Sequence, residues 1–193
     1  MKVKLAETIR AYHQKGWSPA TSTNYSFIEN DQIWVSRSGV DKSEFSENDF
    51  IPIDNVGKVQ VPFEGIKPSD ETMIHVLIYR LFPEAKVILH SHSKNPVLIS
   101  MKHKAHFMVQ NYEVQKGFSG IQTHDCQVQI PIFDNAQEMR YFEEVLTERK
   151  SEIKQHCFII RQHGTYAWGE NLFAAKRHLE TLDYLCECEL AQV

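Results

Sequence analysis

The feature that most constrains the fold is the order in which short strand-like runs and longer helical segments follow one another. These segments lack the regular βαβ alternation of a doubly wound fold. The sequence therefore predicts a three-layer α-β-α architecture, in which a central, largely antiparallel sheet carries helices on both faces. The predicted strands are 25–28, 33–36, 50–53, 58–61, 85–89, 106–109, 128–131 and 157–160, and the predicted helices are 2–15, 69–81, 95–101, 135–150 and 171–191.

Length and composition narrow the class of protein. A chain of 193 residues with 42% hydrophobic content predicts a single domain that spans residues 1–193. The net charge of −4 comes from interspersed acids and bases, so no nucleic-acid partner is expected. No apolar run approaches the roughly 20 residues of a membrane span, and the N-terminal segment lacks a secretory signal. The four cysteines form no Cys-x-x-Cys motif, which indicates thiols of a reducing, cytoplasmic compartment.

Two histidines mark the end of the predicted strand 85–89. His90 and His92 are two positions apart, so in an extended strand their side chains point to the same side. Such a pair is half of a transition-metal site, although two ordinary surface histidines are the alternative. His163 also follows a strand-like run, 157–160. Three histidines with an open position are typical of a catalytic zinc, so the sequence predicts a metal site.

Hydroxyl-rich segments at 21–24, 36–39 and 67–69 precede the first histidine pair. Loops of this kind expose backbone N–H groups, and a helix predicted to start at Ser69 adds its own N-terminus, so together they could bind a phosphate. Lys42 or Arg37 would add positive charge. The alternative is that Ser, Thr and Asn simply favour turns.

Two acids are candidates for proton transfer. Glu71 is predicted in the first turn of a helix, where a carboxylate also interacts favourably with the helix dipole. Glu113 has no such structural explanation, and its alternative is a solvated surface position. Of the remaining histidines, His75 is expected to pack in its helix, and His124 is the one that could join the site.

With these motifs the chain resembles the class II aldolase family over almost its whole length. The metal histidines and the segment His-Gly-x-Tyr-x-Trp-Gly are specific to the superfamily. The segments Gly-Val-Asp-Lys, Glu-x-x-Lys-Gly and Thr-His indicate its dehydratase branch, whose substrate is a ketose 1-phosphate. The resemblance is carried by residues 16–17, 20–26, 35–42, 67–69, 71–72, 75, 90–93, 113–117, 122–124, 130–133 and 162–169.

The resemblance implies a role for each matching residue. It implies one Zn²⁺ per subunit on His90, His92 and His163, and Glu113 as the acid/base, with Glu71 where the aldolases keep their catalytic carboxylate. It also implies a homotetramer with active sites at subunit interfaces. Thr23 stands where the family usually has a glycine, which would let the backbone approach an anion closely. The implied substrate- and phosphate-binding residues are Asn24, Ser38, Gly39, Lys42, Ser69 and Lys116.

Two other functions stay open at this point. A class II sugar-phosphate aldolase or epimerase, of the fuculose- or ribulose-phosphate type, would use the same metal for a different bond change. A non-catalytic, metal-dependent interaction module is the alternative from another class. The complete histidine set, Glu113 and the hydroxyl-rich loops favour an enzyme.

Overall fold

A computed structural model describes residues 1–192 of the chain, and its elements follow the predicted order closely. Short 3₁₀ turns lie at Glu47–Asp49, Glu113–Gly117 and Lys150–Glu152. The helices are α1 (Lys2–Gln14), α2 (Thr72–Leu81), α3 (Lys94–Lys102), α4 (Met139–Glu148) and α5 (Leu172–Ala191). The strands are β1 (Tyr25–Glu29), β2 (Gln32–Ser36), β3 (Phe50–Ile53), β4 (Val87–Ser91), β5 (His106–Val109), β6 (Val128–Phe133), β7 (Cys157–Ile160) and β8 (Gly164–Gly169).

The strands form one eight-stranded sheet in the order β3-β2-β1-β4-β8-β7-β6-β5. Every neighbouring pair is antiparallel except β6 and β7, which run parallel. Strands β4 and β8 occupy the centre, where His90 pairs with Tyr166 and Ser91 with Thr165. The largely antiparallel sheet is thus confirmed.

Helices cover both faces of this sheet and divide the core in two. On one face, Leu5 of α1, Ile99 of α3 and Leu182 of α5 belong to a single buried cluster. On the other face, Ile74 of α2 and Phe142 of α4 belong to a second cluster. This arrangement confirms the three-layer prediction.

The alternation along β4 decides which face carries the histidines. Val87 and Leu89 belong to the first cluster, whereas Ile88 belongs to the second, beside α2 and α4. Because side chains alternate along a strand, His90 shares the side of Ile88. The register of β4 therefore directs His90 toward the start of α2.

Three sequence expectations are wrong. Strand β8 was not predicted, because it is buried on both faces and shows no polar alternation. The run 58–61 is not a strand, since only Val59 forms a bridge, to Ile53. Helices α2 and α4 begin at Thr72 and Met139, three or four residues later than expected, because the preceding residues form turns or extended backbone.

Within residues 1–192, none of the helices is long and apolar enough to cross a membrane.

Candidate metal centre

The three histidines that the sequence singled out lie together, and Glu71 lies with them. His90 lies in the buried strand β4, His92 follows that strand, and His163 occupies the turn between β7 and β8. Glu71 directly precedes α2. One donor atom from each of these four residues lies within 4.8 Å of the other three. The rings of the histidines are 4.6–5.1 Å apart, centroid to centroid.

The donor atoms converge through specific contacts. His90 Nε2 lies 2.7 Å from His92 Nε2 and 3.4 Å from Glu71 Oε2. His163 Nε2 lies 2.7 Å from Glu71 Oε1. Three imidazole nitrogens and one carboxylate are a donor set that suits a divalent transition metal. The residues present therefore fit a single divalent metal ion.

Hydrogen bonds on the far side of the rings orient two of the histidines. The Nδ1 atom of His90 is 3.0 Å from the Thr165 carbonyl oxygen, to which its N–H donates. The Nδ1 atom of His163 is 3.3 Å from Asn135 Oδ1. Such partners fix the tautomer that leaves Nε2 free as a ligand. In addition, the Tyr166 ring stacks on His90 at a centroid distance of 4.1 Å.

Burial keeps His90 and His92 neutral, as metal ligands must be. It lowers the pKa of His90 well below its ordinary value, and it lowers the pKa of His92 to about 4, with the charges of His163 and Lys42 adding to the effect. Burial alone would raise the pKa of Glu71. The electrostatic interaction with His90 and the hydrogen bonds from His163 and Asn24 outweigh this effect, so the pKa of Glu71 lies well below its usual range.

Glu71 also connects the cluster to a buried hydrogen-bond chain. Asn24 Nδ2 donates to Glu71 Oε2 at 2.5 Å and to Ser69 Oγ at 3.2 Å. The amide oxygen of Asn24 accepts from His75 Nε2, and His75 Nδ1 then accepts from Ser26 Oγ at 2.6 Å. Because burial lowers the pKa of His75 to about 3, this ring is neutral and its Nε2–H is the donor. His75 thereby sets which end of the Asn24 amide faces Glu71.

Three other expected phosphate-binding residues are Ser38, Gly39 and Lys42. The Ser38 N–H donates to the Lys67 carbonyl at 3.0 Å, and Arg37 bridges Pro68, so the loop that carries Ser38 and Gly39 lies beside the one that carries Ser69. Lys42 is buried, and its Nζ donates to the carbonyl of Val40 at 3.0 Å. Burial lowers the pKa of Lys42 to about 8.

Thr23, the departure from the family pattern, adopts a backbone conformation that favours glycine. Its φ is +73°, in the left-handed region, which a β-branched residue rarely visits. Its hydroxyl donates to Ser18 Oγ at 3.0 Å and to the Tyr25 hydroxyl at 3.1 Å. The loop thus keeps a glycine-like backbone, which these two hydrogen bonds help to hold.

Glu113 and Lys116 lie outside the donor cluster of the single chain. They pair with each other at 2.6 Å on an exposed 3₁₀ turn, and this ion pair lowers the pKa of Glu113. His124 lies 3.6 Å from Glu113, likewise away from the metal ligands. The catalytic role of Glu113 and the binding role of Lys116 stay predictions.

Two residues of the site escaped the sequence reasoning. His75 was expected only to pack, although its spacing of four residues from Glu71 on one helical face was a usable signal. Tyr166 is fully buried, and its hydroxyl lies near Glu71 and Asn24 without meeting hydrogen-bond geometry. Burial and the nearby Glu71 carboxylate raise the pKa of Tyr166 well above its ordinary value.

Comparisons with known proteins identify relatives of this chain. The profile of the family described as Class II Aldolase and Adducin N-terminal domain matches residues 3–190. A methylthioribulose-1-phosphate dehydratase from Picosynechococcus sp. is 48% identical over 100% of this chain and 92% of its own length. A protein of the same name from Serratia proteamaculans is 42% identical over 92% of this chain and 87% of its own length.

Solved structures show the same fold at low sequence identity. YgbL from Escherichia coli superposes with a TM-score of 0.81 and 17% identity, covering 98% of this chain and 88% of its own. The L-fuculose-1-phosphate aldolase from Thermus thermophilus superposes with a TM-score of 0.76 and 18% identity, covering 96% of this chain and 90% of its own.

Proposed function

The chain belongs to the class II aldolase and adducin family, and we propose that it is a zinc-dependent methylthioribulose-1-phosphate dehydratase of methionine salvage. The reaction converts 5-methylthioribulose 1-phosphate to 2,3-diketo-5-methylthiopentyl 1-phosphate and water. The observation that carries the proposal is the donor cluster of Glu71, His90, His92 and His163 in a chain similar over its full length to proteins of that name.

The three histidines would bind Zn²⁺, and Glu71 would help to keep these ligands in position. The chemistry that a divalent ion supplies here is polarisation of the C2 carbonyl, which makes the C3 proton acidic. Glu71 is suited to a supporting role, because His163 and Asn24 already engage its carboxylate and its low pKa makes it a weak base.

The loops beside Glu71 would bind the phosphate at C1. Asn24 and Ser69 contact each other directly, and the Ser38–Gly39 loop lies next to them. Backbone N–H groups and hydroxyls at such loops suit an anion, and the buried Lys42 would add positive charge. A bound phosphate limits the rotation of the substrate's carbon chain, so the C3 proton is presented to one base.

We propose that Glu113 abstracts the C3 proton. It would act from a neighbouring subunit of a homotetramer in the cytoplasm. Its carboxylate is exposed and pairs with Lys116, so both side chains are accessible to a second chain. The C3–H electrons form an enediolate, the C4–O bond breaks, and protonated Glu113 returns its proton to the departing hydroxyl. The resulting enol then becomes the 2,3-diketone, so one water leaves for each substrate.

Two glutamine variants test the division between the carboxylates. Glu113→Gln keeps size and polarity but cannot accept a proton, so we expect kcat to fall by roughly 10²–10⁴-fold with metal still bound. Glu71→Gln should cost less. A near-normal Glu113→Gln enzyme beside an inactive, metal-replete Glu71→Gln enzyme would contradict the assignment and favour an aldolase.

Subunit mixing tests the proposed delivery of Glu113. His92→Ala removes a metal ligand and Glu113→Gln removes the base, so each homomeric variant should be inactive. In mixed tetramers, some sites combine intact histidines from one subunit with an intact Glu113 from the next. Recovery of activity on mixing would support delivery across an interface, whereas no recovery in verified heteromers would contradict it.

A further inference from the structure

A cavity opens directly beside the donor cluster, and its two walls differ in chemistry. It measures about 280 Å³, close to the lower end of the ~300–1,000 Å³ usual for small-molecule sites. Glu71, His92 and His163 form one wall. Ile74, Ala136, Met139 and Phe142 form an apolar wall, and the polar side chains of Asn135, Gln137 and Gln162 also line the cavity.

Helices α2 and α4 build the apolar wall. Ile74 and Phe142 are 1% and 2% exposed and belong to the core between these helices, so they form a rigid floor. Met139, at the first position of α4, and Ala136 are only partly buried and pack against that core. Met139 is therefore the large apolar side chain that a bound molecule would meet first.

Charge determines which end of a substrate this cavity can accept. Its lining within residues 1–192 includes the carboxylates of Asp70 and Glu71 but no lysine or arginine. Apart from a metal ion at the donor cluster, this lining therefore offers a phosphate dianion no positively charged partner. Asn24 and Ser69 each form a hydrogen bond with Glu71 but do not line the cavity. Glu71 thus stands between an anion-binding side and an apolar side.

We propose that the wall formed by Ile74, Ala136, Met139 and Phe142 binds the methylthio tail of the substrate, with Met139 as a specificity-determining residue. The assignment rests on the proposed function. In that substrate the phosphate on C1 and the methylthio group on C5 are at opposite ends of the carbon chain. With the phosphate at Asn24 and Ser69 and the middle carbons at the donor cluster, C5 points into the cavity. A thioether packs well against a flexible Met and an aromatic edge.

The test compares two substrates that differ only at C5: methylthioribulose 1-phosphate and its analogue with hydrogen in place of the methylthio group. Met139→Gln keeps the side-chain length but makes the wall polar. We compare the kcat/KM for methylthioribulose 1-phosphate with that for the analogue. Met139→Gln should lower this ratio, natural substrate over analogue, at least about tenfold, which is within the range that a lost apolar contact contributes. Met139→Leu should keep the ratio within about threefold of wild type.

A matched control is Met73→Gln on α2, since Met73 is 37% exposed but does not line the cavity. It should leave the ratio unchanged, and all variants should keep wild-type metal content. An unchanged ratio in Met139→Gln, or an equal loss with both substrates, would overturn the tail assignment while the dehydratase function stands. A wild-type enzyme that dehydrates neither substrate would overturn the proposed function, and the tail assignment with it.

Discussion

Gly164→Ala should weaken metal binding, because the structure leaves no room for a side chain where β8 meets β4. A Cβ atom at Gly164 would lie 2.2 Å from the Ser91 carbonyl oxygen and 3.0 Å from Cδ2 of His92. Ser91 lies between the two ligands His90 and His92, and its carbonyl belongs to the backbone of a central strand. The clash therefore cannot be relieved by rotating a side chain.

The size of the effect follows from these distances. Restoring an ordinary contact requires Ser91 and Gly164 to separate by about 1 Å, and a displacement of ~1 Å at a functional site can cost about 10²-fold. We expect the metal dissociation constant to rise by roughly 10–100-fold. Overpacking of this kind also costs about 1–3 kcal/mol in the free energy of unfolding, or roughly 2–12 °C in Tm for a chain of this size.

Gly169→Ala provides the matched control at the opposite end of β8. There a Cβ would lie 2.6 Å from both Ala174 Cβ and the Ala175 nitrogen, so the steric conflict is similar but about 16 Å of strand away. Competition with a chelator measures metal affinity, and thermal denaturation measures stability. Both variants should lose stability, but only Gly164→Ala should lose affinity. Wild-type metal affinity in Gly164→Ala would refute the reasoning.

Three further predictions concern ligands, phosphate and pH. His92→Ala should lose most bound metal and activity together, as metal analysis and kinetics would show, while His103→Ala, outside the cluster, keeps both. Asn24→Ala removes the donor to Glu71 and Ser69, so KM should rise about tenfold or more while the metal is retained. The same change leaves His75 without its partner, which should lower the free energy of unfolding by about 1–3 kcal/mol. Burial lowers the pKa of His75 from 6.5 to about 3 and the pKa of His178 from 6.5 to about 4. Below pH 6.5 the unfolded chain therefore binds more protons than the folded chain. The free energy of unfolding should therefore fall as the pH drops from 6.5 to about 4, by up to ~1.4 kcal/mol per pH unit for each residue, and His178→Gln should reduce that slope in denaturant titrations.

Much of the fold follows from local patterns in the sequence. The amphipathic stripe of α5 and the apolar run of β4 each predict their element with bounds close to those observed. The missed strand β8 has no local signature, because a central strand covered by helices on both faces shows neither alternation nor a polar side. Its pairing with β4 joins residues far apart in the chain, and no local pattern encodes that contact.

In the candidate site, too, some features follow from local sequence patterns and others depend on long-range contacts. Strand-end histidines could be recognised from spacing, and their convergence in one donor cluster follows once β4 and β8 are neighbours. The spacing of His75 from Glu71 could have indicated that the two lie together, but the role of His75 depends on the orientation of the Asn24 amide in three dimensions, which no local pattern encodes. The apolar wall around Met139 likewise arises where α4 crosses the start of α2, a long-range contact.

The central claim is that a metal held by this cluster removes water from the ketose phosphate, and product analysis tests it most directly. Metal-loaded protein is incubated with methylthioribulose 1-phosphate while ultraviolet absorbance and product mass are followed. The account predicts an ultraviolet-absorbing diketone that has lost one water, with the activity abolished by chelation and restored by zinc. Cleavage to a triose phosphate and an aldehyde, or dehydration that proceeds equally well in His92→Ala, would contradict it.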